Sequence, residues 1–323
     1  MTAGRFWCAE PGEVHDIYRI SPSGSGLKPR PYNHSPVAPP VSLKVKRADP
    51  RVTLIKDNLD FSKQTLTPYV VRVPITGLYR RAFKGSQMDT QLVYGSKFNV
   101  HIVKRRWAWG QEVPATGKSG YVGYVPLSAL GENPGKPKHR IKTLRAPVFV
   151  KPDLKSQVRI LLPLNAQLAT TASVGDYYEV FGVGYVHKNH CIPAKSRGGD
   201  FVAIAEQHNG LPYIWGGIGP DGLDCSGLVL SSLRAVGRAT PRDTDMQKSA
   251  LGKRVDIVSR LSGLKRGDLV FWNGHVGIMT NSKTLLHANA HHMSVQAEPL
   301  NIAARRIAKI AGPITSIKRF GWY

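Results

Sequence analysis

The chain has 323 residues, with 45 Lys and Arg against 21 Asp and Glu, a formal charge of +24 and a pI near 10.1. At roughly 100 to 200 residues per domain this length predicts two or three domains. A hydrophobic fraction of 41% with 32 Gly and 23 Pro excludes a fibrous or wholly disordered chain and leans towards β structure with many turns.

The charge would draw the chain to polyanions such as nucleic acid, an anionic membrane surface or an anionic wall polymer. The other reading is a solvated basic surface, since the basic residues are spread along the chain and no recognised nucleic-acid motif accompanies them. Cys8, Cys191 and Cys225 are too few and odd in number for a disulfide framework, so a reducing compartment is expected. The opening MTAGRFWCAE lacks a basic segment followed by an apolar run, and no stretch of 18 apolar residues occurs. A cytoplasmic location is the expectation, unless an export signal precedes this start.

Residues 1–50 read as an extended arm, because Ser21 to Pro50 is crowded with Pro, Ser and basic residues and cannot bury a face. The arm either wraps onto a later domain or is a tail. Residues 51–133 carry short apolar runs between turn residues, among them TPYVVRVPITGLYR, TQLVYG, KFNVHIVKRRWAWG and SGYVGYVPLSAL, which are strand signals without a helix. After the break at GENPGKPKHR, residues 134–196 repeat the order with RAPVFVKP, SQVRILLPLNAQL and DYYEVFGVGYVHKNHCIP. The two blocks read either as a duplicated small SH3-like barrel of about 60 residues or as two unrelated β segments.

Over 197–323 the grammar changes. Phe201, Ile204 and Ala205 at helical spacing predict a helix ending at Asn209-Gly210. Leu228, Val229, Ser232, Leu233 and Val236 form the stripe of a second helix, which stops at Gly237 and has Cys225 at its start. DLVFWNGHVGIMT reads as two strands joined by Asn273-Gly274, with TLLHANA as a further strand. A cysteine-bearing helix on an antiparallel sheet bearing histidines is an α+β arrangement.

A thiol attacks a carbonyl as thiolate, and a helix N-terminus beside an imidazole favours that form. Cys225 has the helix start, with Asp224 as N-cap and Gly227 allowing close backbone approach. Its own backbone N–H lies where it could meet an oxyanion. The alternative is a buried small hydrophobe. His275 and His287 are candidate bases, although a histidine in an apolar strand also occurs as a satisfied core residue. HKNHC (His187, His190, Cys191) and the pair His291–His292 show no recognised metal-ligand spacing, so solvated loops are expected and no metal or cofactor.

LPYIWGGIGPDGLDCSGLV, RGDLVFWNGHVGIM and LLHAN together resemble the NlpC/P60 family of papain-like cysteine peptidases acting on peptidoglycan, over roughly Gly198 to the C-terminus. The two preceding β blocks resemble the bacterial SH3 domains of its γ-D-glutamyl-L-diamino acid endopeptidase subgroup. The resemblance implies a multidomain chain, with two small SH3-like β-barrels followed by an α+β papain-like catalytic domain. It implies Cys225 as nucleophile, His275 as base, His287, 12 positions on, as the residue holding the imidazole, and Tyr213 as the hydroxyl assisting the oxyanion. Asp224, Ser226, Thr244 and, from the first block, Tyr121 would contact the N-terminal part of the substrate. Ser96 stands where relatives often place an acid, which leaves the group that neutralises the substrate's ammonium open, with Asp224 available.

The implied partner is a murein peptide such as L-Ala-γ-D-Glu-meso-diaminopimelate, cut before the diamino acid in cell-wall recycling. The competing readings are an intact-wall hydrolase, a non-catalytic wall-binding module, and amidase or transferase chemistry on the same scaffold.

Overall fold

The computed structural model describes residues 51–52, 55–56, 59–60, 67–83, 85–114, 120–256, 261 and 263–323. The arm expected over 1–50, and Cys8 with it, lies outside the described residues. The described chain is mostly β with some helices, and no helix among these residues is long and apolar enough to cross a membrane.

The first β unit contains β1 (Thr67–Val71), β2 (Ile75–Tyr79), β3 (Met88–Val93), β4 (Lys97–Lys104), β5 (Trp107–Val113), β6 (Val122–Pro126) and β7 (Leu130–Glu132). They form one antiparallel sheet in the order β3-β2-β6-β5-β4-β1-β7. Alternation gives the sheet one apolar face: Phe98 and Val100 of β4 pack with Val71, Leu78, Leu92, Ala108 and Val125. The tightest crossing needs Gly110, where a Cβ would lie 2.0 Å from the Asn99 carbonyl oxygen.

The second β unit contains β8 (His139–Ile141), β9 (Arg145–Phe149), β10 (Val158–Pro163), β11 (Gln167–Leu168), β12 (Thr170–Val174), β13 (Tyr177–Val180), β14 (Gly184–His187) and β15 (Cys191–Pro193). Its pairings run parallel to those of the first unit. There, β1 pairs with β4 and β7, and β2 with β3 and β6. Here, β8 pairs with β11 and β15, and β9 with β10 and β14. The correspondence reaches detail, since a 3-10 turn precedes the last strand in both (Leu127–Ala129, Lys188–His190) and a register shift falls at Leu78/Tyr79 and at Val148/Phe149.

The C-terminal unit is a six-stranded antiparallel sheet between helices. Its elements are α1 (Phe201–Glu206), α2 (Cys225–Ala235), α3 (Thr244–Ala250), β16 (Lys253–Val255), β17 (Leu269–Trp272), β18 (His275–Met279), β19 (Thr284–Asn289), β20 (Ser294–Pro299), α4 (Leu300–Ala311) and β21 (Ser316–Arg319). The sheet order is β16-β21-β17-β18-β19-β20. The strand period of two explains why β17 is buried throughout. Leu269 and Phe271 pack with α1 and α2, and Val270 and Trp272 pack with Leu300 and Ala303 of α4. Helix α2 starts because the Asp224 carboxylate accepts the Gly227 N–H at 2.7 Å. It stops at Gly237, whose φ of 75° suits glycine.

Candidate active site

Cys225 is the first residue of α2 and is buried, with its Sγ 3.8 Å from Thr244 Oγ1 at the start of α3 and near enough to the Val276 backbone for that group to favour the thiolate. Val276 follows His275, so the opening of β18 borders the thiol. Burial, reinforced by the neighbouring Asp224, pushes the thiol up to about 11; the Val276 and Thr244 contacts and Arg242 pull the other way without winning.

His275 donates towards or accepts from His287 through Nε2 and Nδ1 at 2.8 Å. His287 is fully buried, and its Nε2 lies 2.7 Å from Glu298 Oε1. Strand register makes this contact possible: His287 stands opposite Gln296, and Glu298 lies two residues along the same face of β20. Arg306 of α4 closes the chain by donating to both Glu298 oxygens, at 2.8 Å to Oε2. A carboxylate so paired falls well below its usual range, although burial opposes this, and it can only accept. His287 therefore carries its proton on Nε2 and accepts through Nδ1 from His275 Nε2–H. That leaves His275 Nδ1 unprotonated. Burial, then His287, hold the His275 pKa well below its ordinary value, so the resting imidazole is neutral.

Asp224 and Ser226 are buried beside the thiol rather than open to it. Arg242 clamps Asp224 bidentately, Nη1 to Oδ1 at 3.0 Å and Nη2 to Oδ2 at 2.6 Å, and donates to Ser226 Oγ at 2.8 Å. The Gly216 N–H occupies Asp224 Oδ2 as well, at 2.8 Å. The expectation that Asp224 neutralises an ammonium thus meets a carboxylate already saturated by Arg242 and two backbone donors.

The carboxylate that Tyr121 meets is Asp243, whose Oδ2 accepts the phenol in a short hydrogen bond. Asp243 occupies the N-cap position of α3 without capping it, since its side chain is turned to Tyr121 and Arg51. Together with burial, it holds the Tyr121 phenol well above its usual range. Asp89 of β3, paired with Arg80 at 2.7 Å, is raised by burial and lies near enough to Asp243 to be raised further by it. Tyr213 is half-buried against the core cluster that contains Cys225, with its N–H bonded to the Met293 carbonyl at 2.9 Å.

The structure therefore gathers Cys225 with Thr244, His275 with His287, and Tyr121 with the segment just before Thr244. Arg242 and Asp243 lie in the segment Pro241–Asp245, which carries no spacing signal, while Glu298 and Arg306 become legible only through strand register and helix docking. Among the described residues, no group of three or more His, Cys, Asp or Glu could hold a metal.

Residues 210–309 match the NlpC/P60 family, and residues 78–130 match the bacterial dipeptidyl-peptidase SH3 domain. The chain carries an NlpC/P60 domain and a bacterial SH3 domain. It is 28% identical to a γ-D-glutamyl-L-lysine dipeptidyl-peptidase of Bacillus subtilis, over 65% of this chain and 75% of that one. It is also 40% identical to a probable endopeptidase of Corynebacterium glutamicum, over 30% of this chain and 45% of that one. The crystal structure of an NlpC/P60 family protein from Bacillus cereus shares the fold, with a TM-score of 0.66 at 19% identity, covering 79% of this chain and 99% of that one. The NlpC/P60 domain places the protein among peptidases, which are hydrolases.

Proposed function

We propose that this protein is a cysteine endopeptidase cutting the amide between γ-D-glutamate and a diamino acid, meso-diaminopimelate or L-lysine, in murein peptides with a free N-terminal L-alanine. The observation that carries the reading is the chain His275–His287–Glu298–Arg306, which leaves one basic nitrogen on His275, the neighbour of Val276, whose backbone acts on the helix-end thiol of Cys225. In this reading, His275 Nδ1 takes the thiol proton as Cys225 Sγ attacks the γ-carbonyl carbon. The oxyanion is met by the Cys225 backbone N–H and the Tyr213 hydroxyl. Collapse breaks the C–N bond, and His275 gives its proton to the departing amine. Water, deprotonated by the same nitrogen, then hydrolyses the thioester and restores the thiol.

At the amino end, Tyr121, Asp243 and Asp89 face the ammonium, and Thr244 contacts the peptide. Asp224 and Ser226 act by fixing Arg242 and the first turn of α2. A site selecting an ammonium discriminates strongly, because an acylated alanine leaves its acids unpaired. The resemblance in name of the Bacillus subtilis relative supports the bond chosen. We place the enzyme in cytoplasmic recycling of wall peptides. The matching strand pairings support a second SH3-like barrel in the second β unit, and the helix-plus-sheet arrangement supports a papain-like catalytic domain.

The test is release of L-Ala-γ-D-Glu from the free tripeptide, followed by mass spectrometry, with wild type and Cys225→Ala in parallel and the N-acetylated tripeptide as second substrate. Release from the free peptide by wild type alone is expected. Release only from the acetylated peptide or from intact wall would move the assignment to wall hydrolysis, and no release by folded protein would leave a binding module.

A further inference from the structure

We propose that Arg51 is a built-in occupant of the subsite for the substrate's amino end, so that a peptide binds only when its ammonium replaces the Arg51 guanidinium. The inference rests on the functional reading above. The Arg51 guanidinium reaches Asp243 Oδ2 at 2.7 Å through Nη1, and Asp245 at 3.0 and 2.8 Å through Nη1 and Nη2. Asp243 Oδ2 is also the oxygen that accepts from Tyr121. Asp243 immediately precedes Thr244, whose hydroxyl is 3.8 Å from the thiol. A cation of the chain itself therefore sits on the residue next to Thr244, paired with the acid that, with Tyr121, is assigned to the substrate's cation. Asp243 forgoes its capping bond to do this, although an Asp at an N-cap ordinarily makes one.

The backbone aims the side chain there. The Arg51 carbonyl accepts the Val122 N–H at 2.9 Å, and the Val52 carbonyl accepts from Gln111 Nε2 at 3.0 Å, so the segment lies alongside Tyr121. The contact is also built to open. The Arg51 side chain is 34% exposed and those of Asp243 and Asp245 are 31% and 63% exposed, and ion pairs so wetted hold a geometry only weakly. A guanidinium and an α-ammonium ask the same of these carboxylates, so they compete. A neutral, acylated peptide end brings no charge to take the place of Arg51, and the occupant sharpens the preference for a free amine.

The test compares wild type, Arg51→Ala and Asp245→Asn on the free tripeptide, with ethylguanidinium added in a second series. Two exposed ion pairs bias the closed state by about three- to tenfold. Arg51→Ala is therefore expected to lower KM by that factor with kcat unchanged, and Asp245→Asn, which loosens Arg51 without touching Tyr121, to lower it in the same direction. Ethylguanidinium should inhibit Arg51→Ala competitively and leave wild type unaffected at the same concentration. A KM unchanged or raised in both variants, in a wild type that cleaves the tripeptide, would overturn the proposal while leaving the peptidase reading intact. If no form cleaves the tripeptide although all are folded, the peptidase reading falls and this proposal falls with it.

Discussion

Glu298→Gln tests whether a carboxylate two side chains from the thiol sets which nitrogen of His275 is basic. The Glu298 side chain is 10% exposed, His287 is fully buried, and Arg306 donates to both carboxylate oxygens. A glutamine there has one oxygen, and the Arg306 guanidinium, which can only donate, will hold it. The amide NH2 then faces His287 Nε2 and turns that nitrogen into an acceptor. His287 must carry its proton on Nδ1 and donate to His275 Nε2, which leaves the proton of His275 on Nδ1 and removes the base. The transition state also loses a buried, charge-assisted hydrogen bond, worth about 1.5 to 3 kcal/mol. At about 1.4 kcal/mol per tenfold, kcat should fall about 10- to 100-fold with KM little changed. Adding Arg306→Leu frees the glutamine oxygen to turn to His287, and part of the lost kcat should return. Steady-state release of L-Ala-γ-D-Glu by wild type and the two variants decides it. A Glu298→Gln enzyme within twofold of wild-type kcat would refute the tautomer argument.

Three further outcomes follow from the same contacts. Because the His275 pKa is held below its ordinary value near 6.5 and the thiol is pushed up to about 11, the competent neutral pair persists between those limits. The pH profile of kcat/KM should therefore be flat from 7 to 9 and fall only on the acid side below about 6.5; half-maximal activity at or above pH 7 would contradict the assigned burial. Arg242→Ala leaves the Asp224 carboxylate buried without its bidentate partner, which should cost about 3 to 5 kcal/mol in denaturant unfolding. Gly227→Ala would gain helix propensity of about 1 kcal/mol, yet its Cβ would sit 2.0 Å from the Gly217 carbonyl oxygen. The clash should win, giving a net loss of about 1 to 3 kcal/mol by thermal melting and a lower kcat from a displaced first turn of α2.

The parts of this protein legible in the sequence are those set by local chemistry. The stripe Leu228, Val229, Ser232, Leu233 and Val236 with its Gly237 stop describes a helix that spans Cys225–Ala235, and Asn273-Gly274 marks the turn between β17 and β18. Helix α1 ends at Glu206, short of the expected Asn209-Gly210, since the chain continues there as turns, with Leu211 bonded to His208. Helix α4 and strands β20 and β21 lie past the last expected element, TLLHANA, although α4 packs on one face of the sheet, the two strands belong to it, and β20 and α4 supply Glu298 and Arg306. No periodic signal distinguishes SVQAEP, whose acid matters only because β20 pairs in register with β19. For the same reason Asp224 looked available in the sequence. Its saturation by Arg242, 18 positions away, is a tertiary fact.

The first β unit does more than sit beside the NlpC/P60 domain, because the same short segment before α3 ties the two together and reaches the nucleophile. Arg242 donates through Nε to Thr90 of β3 at 2.8 Å while its other nitrogens clamp Asp224 and Ser226. Next to it, Asp243 meets Tyr121, and Met246 of α3 packs into the core of the first β unit. Gln91 adds a further tie, its side-chain oxygen accepting the Ile218 N–H at 3.0 Å, close before the nucleophile's helix. A domain used only as a tether could dock anywhere on the catalytic surface. Here the docking orients Arg242, Arg242 orients the N-cap of α2, and that cap positions Cys225. Peptide recognition and nucleophile placement thus share one structural element, so a change at Thr90 would propagate to the thiol through two buried contacts.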